Sequence, residues 1–401
     1  MSSALALDGG TPVRTAPFPA WPQFDHAEEE ALTGVLRSGK WGSTQGSEVA
    51  RFEAEFGRHQ QARHVTCVAN GTLALVAALA AAGVRAGDEV IVPPYTFVAT
   101  ATAALFLHAV PVFADIDPAT HLLDPAAAEK AVTDRTRAIV VVHLAGRPCD
   151  MDAFTDLGRR AGVAVVEDAA QAHGASWRGR RVGAIGDVGT FSFQSSKNIS
   201  AGEGGAVVTD DADLAAAVYP LVNVGRVPGG AWYQHEHVGY NLRLTEFQAA
   251  LLRAQLARFP EQQARRAANA ARLTGLLRSG GRVVLPADDP AVTEHGWHLF
   301  LFRVPDADAS ARDRVAAALR AEGIPCTAGY PGLHRNAAVR TRTAELCAAA
   351  GRPAPVPDCP VADRLCADTV WLPQQVLLGT ESDVDDIAAA VDKVLAHRVA
   401  P

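Results

Sequence analysis

The chain is poor in the residues that hold metals or disulfide frameworks. Its six cysteines, Cys67, Cys149, Cys326, Cys347, Cys359 and Cys366, are scattered through 401 residues without a Cys-x-x-Cys pair. That argues against zinc knuckles and iron–sulfur sites and fits free thiols in a reducing cytoplasm. His235 and His237 are the histidines most like a metal pair, but no carboxylate–histidine constellation at helical spacing surrounds them, so no metal is expected. Basic charge is scarce too. With 37 Lys and Arg against 44 Asp and Glu, the net charge is −7, which disfavours nucleic acid or an anionic membrane as partner. No run of about 18 apolar residues occurs, so no membrane span is expected. The start of the chain lacks the basic region and apolar core of a signal peptide, and a cytoplasmic location is expected.

What is present is a 48% hydrophobic chain long enough for two or three domains. Helical patterning covers about His26 to Arg37 and Ser47 to Gln60. From His64 onward, short apolar runs (His64–Val68, Glu89–Val92, Val110–Ala114, Ala138–His143, Val163–Val166) alternate with helical ones (Thr72–Ala82, Thr100–Phe106, Ala126–Val132, Met151–Ala161). This alternation predicts an α/β fold, a mainly parallel sheet flanked by helices, with ligands at the carboxyl ends of its strands. A long helix is predicted from Thr245 to Leu277, broken near Pro260. Strands at Arg282–Leu285, Leu299–Val304 and Thr369–Leu372, with helices at Ser310–Glu322 and Glu381–His397, predict a smaller α+β unit. The expected division is a large domain, 1–258, and a small C-terminal domain, 259–401.

One stretch stands out, Gly189 to Thr209. It reads as a strand, a polar turn carrying Lys197, a glycine-rich turn (Gly202, Gly204, Gly205) and a second strand. A lysine held between interior strands is a candidate for an amine tuned to form an imine; its bland reading is a solvated loop charge. Asn70-Gly71-Thr72 joins a strand to a helix, where N–H groups, a hydroxyl and the helix dipole suit an anion, or where Thr72 is a plain cap. Ser192 could add a second hydroxyl. Asp168 ends a buried-looking strand, so its carboxylate needs a partner, and Gln171 and His173 follow closely. Phe97 is either core or a face for an aromatic cofactor. The Gly202–Gly205 run precedes a strand rather than a helix, so it is not a dinucleotide fingerprint. A lysine nucleophile, an acid for a ring nitrogen, a stacking aromatic and hydroxyl-rich anion sites together suit pyridoxal 5'-phosphate.

These segments, in order, resemble the DegT/DnrJ/StrS sugar and cyclitol aminotransferases of pyridoxal-phosphate fold type I. The matching stretches are Asn70-Gly71-Thr72-Leu73-Ala74-Leu75, Pro94 to Thr100, Val142 to Gly146, Glu167 to Ala175, Phe191 to Gly205, and Gly239 to Ala250. The resemblance implies that Lys197 bonds the cofactor and shuttles protons, and that Asp168 pairs with the pyridine nitrogen. It implies Gln171 at the phenolic oxygen, Phe97 on the ring, and Gly71, Thr72 and Ser192 at the phosphate. Asn241 would reach the phosphate of a neighbouring subunit, implying a homodimer with shared active sites.

Leu7 to Arg14, Phe18 to Pro22, Val370-Trp371-Leu372-Pro373 and Leu377-Leu378-Gly379 resemble members acting on cyclitol ketones and the 3-amino-5-hydroxybenzoate synthases. Tyr330 to His334 resembles a substrate-facing loop, which puts Tyr330 and His334 at the substrate. Gln171 stands where histidine is expected in the synthase branch. The implied reaction moves an amine from L-glutamine or L-glutamate to a cyclitol or nucleotide-linked keto-sugar, by ping-pong kinetics. The alternatives are a synthase-like enzyme, a dehydratase, which would carry histidine at position 197, and a non-catalytic relative.

Overall fold

The computed structural model describes residues 4–231 and 233–397. The elements in chain order are α1 (His26–Ser38), α2 (Glu48–Gln60), β1 (His64–Val68), α3 (Gly71–Ala81), β2 (Glu89–Val92), α4 (Ala99–Phe106) and β3 (Val110–Phe113). There follow α5 (Pro125–Ala131), β4 (Thr136–Val142), α6 (Met151–Ala161), β5 (Ala164–Asp168), β6 (Ser176–Trp177), β7 (Arg180–Arg181), β8 (Val188–Ser192), β9 (Gly205–Thr209) and α7 (Ala212–Val222). The chain continues with α8 (Glu246–Gly280), β10 (Val292–Glu294), β11 (Leu299–Arg303), α9 (Ala309–Ala321), β12 (Thr327–Ala328), α10 (Ala337–Ala349), α11 (Pro360–Asp368), β13 (Thr369–Pro373) and α12 (Glu381–Ala396).

Seven strands form the central sheet in the order β1-β9-β8-β5-β4-β2-β3. Pairing is parallel from β8 to β3, and β9 is antiparallel to both of its neighbours. The strands are apolar on both sides because both faces are covered. On β4, Ile139 and Val141 pack with Phe154 of α6 and Leu252 of α8, whereas Ala138, Val140 and Val142 pack with α3, α4 and α7. A second core gathers Leu273, Phe302, Leu319, Leu372 and Ile387 around the three-stranded sheet β11-β13-β12. Leu5, Val13 and Phe18 from the N-terminal segment pack on this second core.

Three expectations need correction. Helix α8 runs unbroken through Pro260, where the sequence predicts a break. Proline removes only one helical N–H donor at about 3 kcal/mol. Leu252, Leu256, Phe259, Arg266 and Leu273 are buried along the same helix, and that packing outweighs the loss. Residues 282–285 form no strand, only an isolated bridge between Val284 and Arg303. The stretch between α9 and β13, expected as loop, contains α10 and α11. Helix α10 buries only Val339, Thr343 and Cys347. Two of those three are weakly apolar, which hides the helical period.

Candidate active site

The carboxyl ends of β4, β5 and β8 and the N-terminus of α3 open into one cavity of 860 Å³. Gly71, Thr72, Phe97, Asp168, Gln171, Ser192, Lys197 and Tyr330 all line it. Two expected residues do not. His334 turns away to Asp363 (Nε2–Oδ1 3.0 Å), because the short helical turn Leu333–Arg335 faces α11. Asn241 is exposed on the loop before α8, outside its own chain's cavity.

At the anion end, Asn70 rather than Thr72 caps α3, its Oδ1 accepting the Leu73 N–H at 2.9 Å. That leaves the Gly71 and Thr72 N–H groups and the Thr72 and Ser192 hydroxyls facing the cavity, at the positive end of the helix dipole. Space here is tight. A Cβ on Gly71 would lie 2.7 Å from Ser192 Cβ, and one on Gly205 would lie 2.5 Å from the Asn70 carbonyl carbon. The glycine run therefore lets β9 pass the turn that opens α3.

Adjacent residues of a strand face opposite ways, and β5 uses this. Glu167 points into the interior beneath the site. There it accepts from Gly183 N–H (2.7 Å), Ile185 N–H (2.7 Å) and Gly186 N–H (2.6 Å). His143 Nδ1 takes the Cys149 N–H at 3.0 Å, so its Nε2–H donates to Glu167 at 2.9 Å. Burial alone would raise the Glu167 carboxyl, but these hydrogen bonds outweigh it and hold it below its ordinary value. Asp168 points the other way, into the cavity. Thr100 Oγ1–H donates to its Oδ2 at 3.0 Å and the Ala170 N–H to its Oδ1 at 3.2 Å. Burial pushes this carboxyl up against those two donors and the Lys197 charge. A buried carboxylate so thinly satisfied is suited to a cationic partner in the cavity.

Lys197 sits on the turn between β8 and β9. The turn is pinned by Ser195 N–H to Gly202 O (3.0 Å) and by the Trp21 indole N–H to Ser195 O (2.9 Å). Burial lowers the lysine to about 8, with Asp168 opposing the shift. An amine with that value is partly unprotonated near neutrality, as a nucleophile requires. Phe97 is 53% exposed and offers a ring face to the cavity. Gln171 Oε1 accepts the Ala145 N–H at 2.7 Å, and its Nε2 donates to the Tyr330 hydroxyl at 3.3 Å. Tyr330 is also braced edge-on by Trp371, with ring centroids 4.4 Å apart. Lysine, buried acid, open aromatic face and helix-end anion site fit pyridoxal 5'-phosphate.

Thr100, Thr96 and His298 escaped the reading of the sequence. Thr100 and Thr96 form a hydroxyl chain to Asp168, with Oγ1 atoms 3.2 Å apart. Thr96 lies in the loop before α4 and Thr100 in its first turn, so no helical period marks the chain in the sequence. His298 reaches the cavity from the second core's side, and nothing local in the sequence marks it.

Residues 22–392 match the DegT/DnrJ/EryC1/StrS aminotransferase family. The chain is 43% identical to the L-glutamine:2-deoxy-scyllo-inosose aminotransferase of Streptoalloteichus tenebrarius, covering 98% of both proteins. It is 40% identical to the 3-amino-5-hydroxybenzoate synthase of Amycolatopsis mediterranei, covering 96% of this chain and 99% of that protein. The crystal structure of a 3-amino-5-hydroxybenzoic acid synthase superposes with a TM-score of 0.89 at 39% identity, over 95% of this chain and 100% of that one. The fold is that of the type I pyridoxal-phosphate aminotransferases. With its cavity built as that cofactor requires, the chain belongs to the DegT/DnrJ/EryC1/StrS aminotransferase family and is a pyridoxal-phosphate-dependent aminotransferase.

Proposed function

We propose that the enzyme moves the amino group of L-glutamine or L-glutamate to the ketone of a cyclitol or related keto-sugar, in the assembly of an amino-sugar or aminoglycoside natural product. The observation that carries this is the near full-length 43% identity to an aminotransferase named for glutamine and 2-deoxy-scyllo-inosose, joined to an intact lysine–aspartate–anion site. A second reading, a synthase-like enzyme, is supported by the 0.89 TM-score.

When bound, pyridoxal phosphate supplies an electron sink for the carbon that gains or loses the amine. The Gly71 and Thr72 N–H groups with the Thr72 and Ser192 hydroxyls would bind its phosphate. Phe97 would cover one ring face and exclude water there. Asp168 would hold the proton on the ring nitrogen through its carboxylate. The Gln171 amide, fixed by Ala145, would orient the phenolic side and the Tyr330 hydroxyl next to the substrate. Lys197 Nζ, with its pKa lowered to about 8, would carry protons to and from the reacting carbon in both halves of the cycle.

The reading includes a homodimer with shared sites in the cytoplasm. Exposed Tyr233, Val238 and Tyr240 flank Asn241 and support the dimer; six free thiols support the location. Among the described residues, no helix is long and apolar enough to cross a membrane. Initial rates with L-glutamine and 2-deoxy-scyllo-inosose should give parallel ping-pong plots. Lys197→Ala should lose both turnover and the cofactor's visible absorbance, and full activity in that variant would sink the reading.

A further inference from the structure

His298 precedes β11 and lines the same cavity as Lys197. Its backbone N–H donates to Ala145 O at 2.9 Å, which fixes it to the loop after β4. Its ring Nδ1 lies 3.2 Å from Asn198 Oδ1, and Asn198 is the residue after Lys197. Asn198 Nδ2 donates to the Gly296 carbonyl at 2.6 Å. That bond settles which end of the amide is which, so the atom facing His298 is an oxygen, and Nδ1 must carry the hydrogen. Burial, aided by the charges of Lys197, His173 and Arg266, keeps the ring well below the ordinary histidine value, hence neutral at pH 7. A neutral imidazole has one N–H. Nε2 is therefore a lone-pair acceptor, and it takes no hydrogen bond from any described residue.

We propose that His298 is a specificity residue, whose Nε2 accepts a hydrogen bond from a hydroxyl on a carbon flanking the ketone of the amine-accepting substrate. This rests on the polyhydroxy-ketone reading above. The position follows from the chain: Asn198 ties the ring to the lysine turn, so His298 reaches groups beside the carbon that Lys197 serves. The polarity follows from the tautomer. A lone pair welcomes a hydroxyl hydrogen and repels the carboxylate of an amino-acid donor. The same ring thus favours the second substrate without helping the first. A site built to pair with a substrate hydroxyl also discriminates against ketones that lack one.

The two half-reactions separate these roles. His298→Asn keeps a group at the Nδ1 position but removes the Nε2 acceptor, and His298→Gln returns an amide oxygen near it. In single-turnover absorbance measurements, L-glutamine should bleach the visible band of His298→Asn within about threefold of the wild-type rate. Its recovery with 2-deoxy-scyllo-inosose should slow by about 10-fold or more, with His298→Gln in between. Independently, ¹⁵N spectra of histidine-labelled enzyme without cofactor should show Nδ1 protonated and Nε2 not, the His298 signal being assigned by its loss in His298→Asn. Equal slowing of both half-reactions would make His298 a support of the lysine turn and overturn the proposal. Unchanged recovery, or a protonated Nε2, would overturn it too. If glutamine bleaches the wild-type band but no polyhydroxy ketone restores it, the substrate reading falls and takes this inference with it.

Discussion

Thr100→Val isolates the hydrogen bond that opposes the effect of burial on Asp168. Thr100 is fully buried, and its hydroxyl donates to Asp168 Oδ2 at 3.0 Å. Because its single hydrogen is spent there, the Thr96 hydroxyl must be the donor across the 3.2 Å gap to Thr100. Valine fills the same volume, so the cavity cost is small and the perturbation is almost purely the lost donor. A hydrogen bond to a charged group contributes about 1.5–3 kcal/mol, which is a factor of about 10 to 150 in an equilibrium constant. The carboxyl, already raised by burial, should rise by roughly one to two units more. Its hold on a protonated ring nitrogen should weaken in proportion. Titration of the apoenzyme with pyridoxal phosphate, followed by visible absorbance, should give a Kd about 10-fold or more above wild type at pH 7. The deficit should shrink as pH rises and the carboxyl ionises again. Thr100→Ser should bind nearly as wild type, and Thr96→Val, which acts only through Thr100, should fall between. Wild-type affinity in Thr100→Val at every pH would refute the argument.

Lys197 is lowered to about 8, so about a tenth of it is free amine at pH 7, against less than about a thousandth for an ordinary lysine; the rate of cofactor reloading should rise with pH to a midpoint near 8, read from the visible band. Asp168 has a raised carboxyl, so its ionised form costs the apoenzyme stability once pH rises through the folded value. Asp168→Asn should melt no lower than wild-type apoenzyme at pH 8 while turnover falls at least about 100-fold. Glu167 is the reverse case, its carboxyl held low. The stability it contributes is present above about pH 4.5 and lost as pH falls through the lower folded value. Glu167→Gln sets an NH₂ group against backbone donors and should cost about 3 kcal/mol in urea unfolding at pH 7; a change under about 0.5 kcal/mol would contradict the network.

The parallel sheet was legible because its strands are short, apolar on both sides and spaced by helices. The lysine turn was legible because a lone cation between two interior strands is conspicuous. Residues such as Thr100 and His298 were not. A buried threonine looks the same in a sequence whether it packs or donates, and His298 enters the site from the residue before β11, about a hundred residues after Lys197. His334 misled for a related reason. Its loop does approach the site through Tyr330, but a three-residue helical turn sends the next polar side chain to Asp363. Direction within a turn depends on backbone angles that residue types only weakly specify. The predicted break at Pro260 does not occur because residues buried on both sides of it along α8 outweigh the local propensity.

Charge balance leads to the last prediction. Among the residues lining the cavity, Asp168, Lys197 and Glu203 carry the formal charges, and no arginine is present. On the proposed function the lysine is committed to the cofactor. The phosphate and the donor's carboxylate then face a helix dipole equivalent to only about half a charge. Positive charge from outside this set would balance the site. The loop before α8 is a candidate source: half-buried Arg243 donates to Asn223 Oδ1 at 3.0 Å, and Asn241 is exposed two residues before it. In a two-fold dimer, each copy can lend this loop to its partner's phosphate. Complementation tests that arrangement. Lys197→Ala and Asn241→Asp should each be nearly inactive as pure proteins. Unfolded together in equal amounts and refolded, half of the dimers should be mixed, each with one site free of both changes, so activity should recover to about a quarter of wild type. Recovery no greater than the mean of the two parents would place Asn241 in its own chain's site, or in none.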